Sequence, residues 1–115
     1  VLASATRKAI QPLHILVVED NRVNQRVLEL QLQKWGLRPQ FANDGIEALE
    51  ALERKDYDLV LMDCQMPRMD GYEATRRLRA SSRNQKVQVV AITANALDGD
   101  RERCFSVGMN AFLPK

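Results

Sequence analysis

The sequence predicts an α/β domain built on a doubly wound, five-stranded parallel sheet, and three observations predict it. The apolar runs Ile15-Leu16-Val17-Val18 and Leu59-Val60-Leu61-Met62 are continuous rather than alternating, as in strands covered on both faces. Segments of helical spacing follow them, long enough for right-handed crossovers to parallel neighbours. Both runs lead straight into carboxylates, Glu19-Asp20 and Asp63, and the carboxyl ends of parallel strands are where open sheets bind ligands.

In chain order, residues 1–13 are small, polar and basic, with Pro12 discouraging helix, and read as a linker before a domain spanning 14–115. The first strand starts at His14. Asn21 is a good N-cap for a helix in which Val23, Val27 and Leu30 form one apolar line and Leu28, Leu32 and Trp35 another, with Trp35 as its anchor and Gly36 as its end. Leu37 to Ala42 forms a weak second strand, and Pro39 consigns it to an edge. Asp44, within the turn Asn43-Asp44-Gly45, caps a helix to about Arg54 whose Ile46, Ala48, Leu49 and Leu52 face inward. The third strand ends at Asp63, and a Pro/Gly-bounded turn leads to a helix from Tyr72 to about Ala80. Val87 to Ile92 is the fourth strand and ends in Thr93-Ala94-Asn95. Gly99 predicts a short or mobile helix between Leu97 and Val107, which Gly108 closes, and Ala111-Phe112-Leu113 is the fifth strand.

Composition excludes several function classes. One domain of 115 residues, 45% hydrophobic and 28% charged, is ordinary for a soluble protein. A net charge of +2 does not argue for nucleic acid, and the cluster Arg76, Arg77, Arg79 and Arg83 lacks interleaved aromatics, so it reads as a solvated helix face. No apolar run reaches the roughly 20 residues that span a bilayer, so no membrane contact is expected of this domain. Cys64 and Cys104 form no metal-ligand spacing with the single histidine, His14, and read as reduced thiols in a cytoplasmic setting.

The strand ends carry the chemistry. Glu19, Asp20, Asp63, Thr93 and Lys115 all fall at one edge of a parallel sheet. Carboxylates gathered there repel unless a cation offsets them. Mg²⁺ suits the set, because it accepts a few carboxylates and completes its shell with water and phosphate oxygens. Lys115 adds a fixed positive charge and Thr93 a hydroxyl donor. Such parts suit phosphoryl transfer to a carboxylate. Asp63, from a central strand, is the candidate acceptor; Glu19, Asp20 and Asp63, with the main-chain carbonyl of Gln65, are the candidate metal ligands.

Glu19-Asp20-Asn21, Met62-Asp63 with Met66-Pro67 and Asp70-Gly71, Thr93-Ala94, and Pro114-Lys115 together resemble the receiver domains of two-component response regulators. The resemblance covers nearly all of the chain after the linker. It implies a flavodoxin-like sheet in strand order 2-1-3-4-5, a phosphoryl group passing from a phosphohistidine to Asp63, and self-catalysed phosphorylation and dephosphorylation. It also implies a switch in which Thr93 and Phe112 move together, with Gln65 and Asn95 where phosphoryl lifetimes are tuned. The expected partners are a histidine kinase domain or a histidine phosphotransfer protein. Asn24-Gln25, Cys64-Gln65, Asn95-Ala96 and Gly108-Met109 are similar to receivers fused to hybrid sensor histidine kinases, whose parent chains are open to anchoring in the inner membrane. The family continues past the lysine into a final helix, which is missing from this chain. Apolar surface beside the fifth strand is therefore expected to be exposed, lowering stability or pairing with a second copy.

Other readings of the same fold fit less well. A flavin-binding protein needs a phosphate loop after the first strand, where Glu19-Asp20 would repel a phosphate. A dinucleotide-binding domain needs a glycine fingerprint there. An aspartate-nucleophile phosphatase usually presents a second aspartate two positions on, where Gln65 stands. A receiver-like docking module that is never phosphorylated ranks second, since such modules typically lack an acidic or lysine position and none is lacking here.

Overall fold

The structure, a computed structural model, describes residues 13–66, 68–81, 84, 86–93 and 98–114. Five strands alternate with four helices: β1 (Ile15–Val18), α1 (Arg22–Gln33), β2 (Gln40–Ala42), α2 (Gly45–Arg54), β3 (Leu59–Asp63), α3 (Gly71–Ala80), β4 (Gln88–Thr93), α4 (Asp98–Ser106) and β5 (Ala111–Pro114). Every strand pairing is parallel, in the order β2-β1-β3-β4-β5. β3 therefore lies at the centre and β2 at an edge, as Pro39 requires; only three residues beyond that proline pair as strand.

Continuous apolar strands put alternate residues into two cores. Leu16, Val18, Val60, Met62, Val89 and Ala91 pack on one face against Ala48 and Leu52 of α2, Ala74 and Leu78 of α3, and Cys104 of α4. Ile15, Val17, Leu61 and Ile92 face the other way, against Leu28 and Leu32 of α1. Three helices thus cover one face and α1 the other. Asn21 and Asp44 cap α1 and α2 as expected, accepting from the amides of Asn24 at 3.1 Å and Glu47 at 2.9 Å. Asp70 does the same for α3 through the amide of Glu73 at 2.9 Å.

Trp35 corrects the sequence reading. It is 81% exposed rather than anchoring α1. The helix stops at Gln33, and the amides of Trp35, Gly36 and Leu37 donate back to Leu32, Gln33 and Leu32 in a tight turn. That turn swings the indole off the Leu28–Leu32 line. Val23, Val27 and Leu30 are exposed as well, leaving Leu28 and Leu32 as the packed line.

Beyond α1, the described residues leave part of this face open. Leu113 of β5 is 54% exposed and, with Val27, Leu28, Leu61 and Ile92, borders a groove of about 250 Å³. The linker assigned to 1–13 lies outside the described residues except for Leu13, as do Pro67, Arg83, Ala94, Asn95 and Lys115.

Candidate functional site

The register brings the acidic strand ends together. Val18 pairs with Met62, so Glu19 leaves β1 beside Asp63, the last residue of β3. The amide of Glu19 donates to Ala42 of β2 at 3.0 Å. Glu19 and Asp63 are 1% and 2% exposed, while Asp20 faces solvent. Carboxylate oxygens of Glu19, Asp20 and Asp63 all lie within 4.8 Å of one another.

Local bonds orient these groups. Glu19 Oε1 accepts from the Asn21 amide at 3.2 Å and from Asn24 Nδ2 at 3.3 Å. Gln25 Nε2 donates to the carbonyl of Glu19 at 2.6 Å and to Asn43 Oδ1 at 3.0 Å, tying the loop after β1 to the loop after β2. Asp63 Oδ1 accepts from the Gln65 amide at 3.1 Å. Asp63 pairs with Ile92, so Thr93, 3% exposed, stands one residue further along the neighbouring strand. Thr93 in turn pairs with Pro114. Lys115 is the next residue and lies outside the described set.

The donor set fits a small, hard cation. Three oxygens within 4.8 Å of one another are near enough that one Mg²⁺ would be held by all three, with water and phosphate oxygens completing its shell. All three are carboxylates.

Phe112 is half-buried. It pairs with Ala91 in the sheet, meets Phe105 of α4 edge-on with centroids 6.4 Å apart, and lies 5.4 Å from the Arg101 guanidinium. Its ring is therefore coupled to α4, two residues from the position opposite Thr93.

Three features escaped the sequence reading. Asn24 and Gln25 had no chemical role there, and here they hold Glu19. Arg68, in the turn after Asp63, has a left-handed backbone (φ 65°) and bonds through Nε to Asp44 Oδ2 at 2.6 Å. Finally, Cys64 and Cys104, 40 residues apart, meet with sulfurs 3.9 Å apart. The Cys64 thiol is pushed up to about 12 by burial first, and then by Cys104 and Asp63, against a lowering hydrogen bond with Tyr72. It is a thiol at neutral pH. Within the arginine cluster, Arg76 and Arg77 pair with Glu73, and Arg79 turns inward to Gly108, Asn84 and Asn110.

A family model, the response regulator receiver domain, matches residues 15–115. The chain belongs to this family. Over 112 residues the receiver is 44% identical to hybrid signal transduction histidine kinase B of Dictyostelium discoideum, a match that covers 88% of the chain but only 6% of that protein. The receiver domain of the sensor histidine kinase PA1611 from Pseudomonas aeruginosa PAO1, solved with a magnesium ion coordinated in its active-site cleft, superposes with a TM-score of 0.84 at 50% identity, covering 91% of this chain and 86% of that one. The receiver of the Saccharomyces cerevisiae response regulator Ssk1, solved in complex with the histidine phosphotransfer protein Ypd1, superposes with a TM-score of 0.84 at 29% identity, covering 90% and 79%. Among the described residues no helix is long and apolar enough to cross a membrane.

Proposed function

We propose that this receiver takes a phosphoryl group from a phosphohistidine onto Asp63 in a Mg²⁺-dependent reaction and thereby switches its partner contacts. The carrying observation is the convergence of Glu19, Asp20 and Asp63, from the ends of adjacent strands, to within 4.8 Å. Glu19, Asp20, Asp63 and the main-chain carbonyl of Gln65 would hold the metal. When bound, Mg²⁺ offsets the charge of the carboxylates and of the incoming phosphoryl oxygens.

The remaining work falls to the chain. Gln65 fixes one oxygen of Asp63 through its amide, and an Asp63 oxygen attacks phosphorus in line with the leaving imidazole nitrogen. The new bond is O–P, the broken bond is N–P, and the donor histidine departs neutral after taking up a proton. Thr93 donates its hydroxyl to a phosphoryl oxygen, and Lys115 pairs with another. Drawing Thr93 toward the phosphoryl group vacates space beside β5, into which Phe112 turns away from Phe105 and Arg101.

The donor is a histidine kinase domain or a histidine phosphotransfer protein, as supported by the Ypd1 complex of the Ssk1 receiver. The longer protein is a hybrid histidine kinase, as the relatives above support; within it residues 1–13 serve as linker and 14–115 as a receiver facing the cytoplasm. The apolar groove beside Leu113 favours self-association, which sedimentation velocity measures. The deciding experiment is intact mass after incubation with acetyl phosphate. A gain of one phosphoryl group with Mg²⁺, absent without it and absent in Asp63→Asn, is expected. No gain in the wild-type chain would favour a docking module that works unphosphorylated.

A further inference from the structure

Metal-holding groups on loops are only as well placed as the loops themselves. Of the proposed ligands, Glu19 and Asp20 lie just beyond β1 and the Gln65 carbonyl lies beyond β3, in the loop from Cys64 to Asp70. Its far end is pinned, since the Gly71 amide donates to the Cys64 carbonyl at 3.2 Å. At Arg68 it is held from the side. Arg68 adopts φ 65°, a conformation that a residue with a Cβ rarely takes, and in doing so reaches across to the start of α2. There Asp44, only 5% exposed, accepts from Arg68 Nε at 2.6 Å on Oδ2 while its Oδ1 caps α2. The Arg68 Nη2 also pairs with Asp44 and lies 3.9 Å from Glu47 Oε2. A second strut runs beside it, the Gly45 amide donating to the Met69 carbonyl at 3.3 Å. Glu47 Oε1 accepts from the amide and Nδ2 of Asn43, which is joined through Gln25 to the Glu19 carbonyl. A belt of side chains therefore links the loops after β1, β2 and β3, and Arg68 and Asp44 are its attachment to the loop that carries Gln65.

We propose that Arg68 and Asp44 are positioning residues for the metal centre, clamping the loop after β3 so that the Gln65 carbonyl faces Glu19, Asp20 and Asp63. This rests on the Mg²⁺ reading given above. The clamp touches neither the acceptor nor the phosphoryl group, so its loss acts on metal affinity rather than on the chemical step.

Isothermal titration of MgCl₂ into the 115-residue chain tests it, with Arg68→Gly, Asp44→Asn, their combination, and Asp63→Asn. Glycine accepts the left-handed backbone without strain, so Arg68→Gly removes the clamp while keeping the turn. Expected are a Mg²⁺ affinity about three- to tenfold weaker in each single clamp variant, the double variant no weaker than either, and a melting temperature for Arg68→Gly close to wild type. Uptake of a phosphoryl group from acetyl phosphate in Arg68→Gly is slow at low Mg²⁺ and recovers at saturation. Wild-type affinity in Arg68→Gly, with Asp63→Asn weakened, would overturn the clamp and leave the metal centre standing. Unchanged affinity in Asp63→Asn as well would overturn both. Losses that multiply in the double variant would also overturn it, because the two residues would then act separately.

Discussion

Replacing Gly71 by alanine tests how tightly the fold holds Asp63. A Cβ at Gly71 would stand 2.2 Å from the carbonyl oxygen of Asp63, 2.9 Å from Met62 Cγ and 3.0 Å from the Asp63 carbonyl carbon, whereas ordinary contact begins at 3.4 Å. The methionine side chain can yield. The carbonyl cannot, because it belongs to the central strand of the sheet. Relief must come from shifting the start of α3 or the end of β3 by about 1 Å, at a cost near the upper end of the 1–3 kcal/mol typical of overpacking. At about 4 °C per kcal/mol for a chain of this size, the melting temperature falls by roughly 10 °C. Displacing a reacting group by about 1 Å costs on the order of 100-fold in rate, so phosphoryl uptake at Asp63 falls by a similar factor. Gly36→Ala is the control. Gly36 has φ 75°, but a methyl group there would meet nothing within 4 Å, so alanine meets only backbone strain of about 1 kcal/mol. It should cost roughly 4 °C and leave uptake unchanged. Circular dichroism melts and timed intact-mass measurements read both effects. If Gly71→Ala melted with Gly36→Ala and reacted at the wild-type rate, the claim of a rigid contact behind the acceptor would be wrong.

Asp44 and the cysteines supply two further tests. Burial alone would raise the Asp44 carboxyl, but the Glu47 amide and the Arg68 guanidinium outweigh it and hold the group below its ordinary 3.8. A depressed folded value stabilises the protein fully above the unfolded value, near pH 4, and that contribution is lost as pH falls through the lower folded value. Urea midpoints of wild type and Asp44→Asn should therefore differ most at neutral pH and converge in acid; a gap that widens below about pH 4 would contradict the assignment. Buried, and with the Cys64 thiol pushed up to about 12, the two cysteines should react with a disulfide reagent at pH 8 only as fast as the protein opens. Both should label at once in denaturant, and rapid labelling of the native chain would show that the thiols are more accessible than their packing implies.

Much of this is legible in the sequence, for identifiable reasons. Uninterrupted runs such as Leu59 to Met62 suit strands covered on both faces, crossover length makes their neighbours parallel, and the order 2-1-3-4-5 is what the family resemblance implies. The caps at Asn21 and Asp44 are local signals, carried by residue type and position alone. The carboxylates at strand ends are visible because topology by itself sends them to one edge. What stays hidden depends on geometry that spacing does not encode. Trp35 continues the helical period of Leu28 and Leu32, yet a turn begun at Gln33 turns it outward. Arg68 follows a proline in a polar turn, and nothing in that pattern says that its backbone is left-handed or that its partner lies 24 residues earlier. Cys64 and Cys104 are likewise joined only by packing of α4 over the end of β3.

The helix starts carry a last consequence. α2 and α3 begin with their own anions, Asp44 with Glu47 and Asp70 with Glu73. α1 has no acid in its first turn and is capped by the neutral Asn21, whose amide donates to Glu19. An α-helix presents roughly half a positive charge at its amino end. At α2 and α3 that charge is answered from within the helix, while at α1 it is answered by Glu19 and Asp20. The carboxylates that would grip a cation are therefore also the counter-charge of α1. Neutralising them relieves their mutual repulsion but removes about 0.3–1 kcal/mol apiece of attraction to that helix end, and the field of α1 remains directed at whatever anion next arrives at the edge of the sheet.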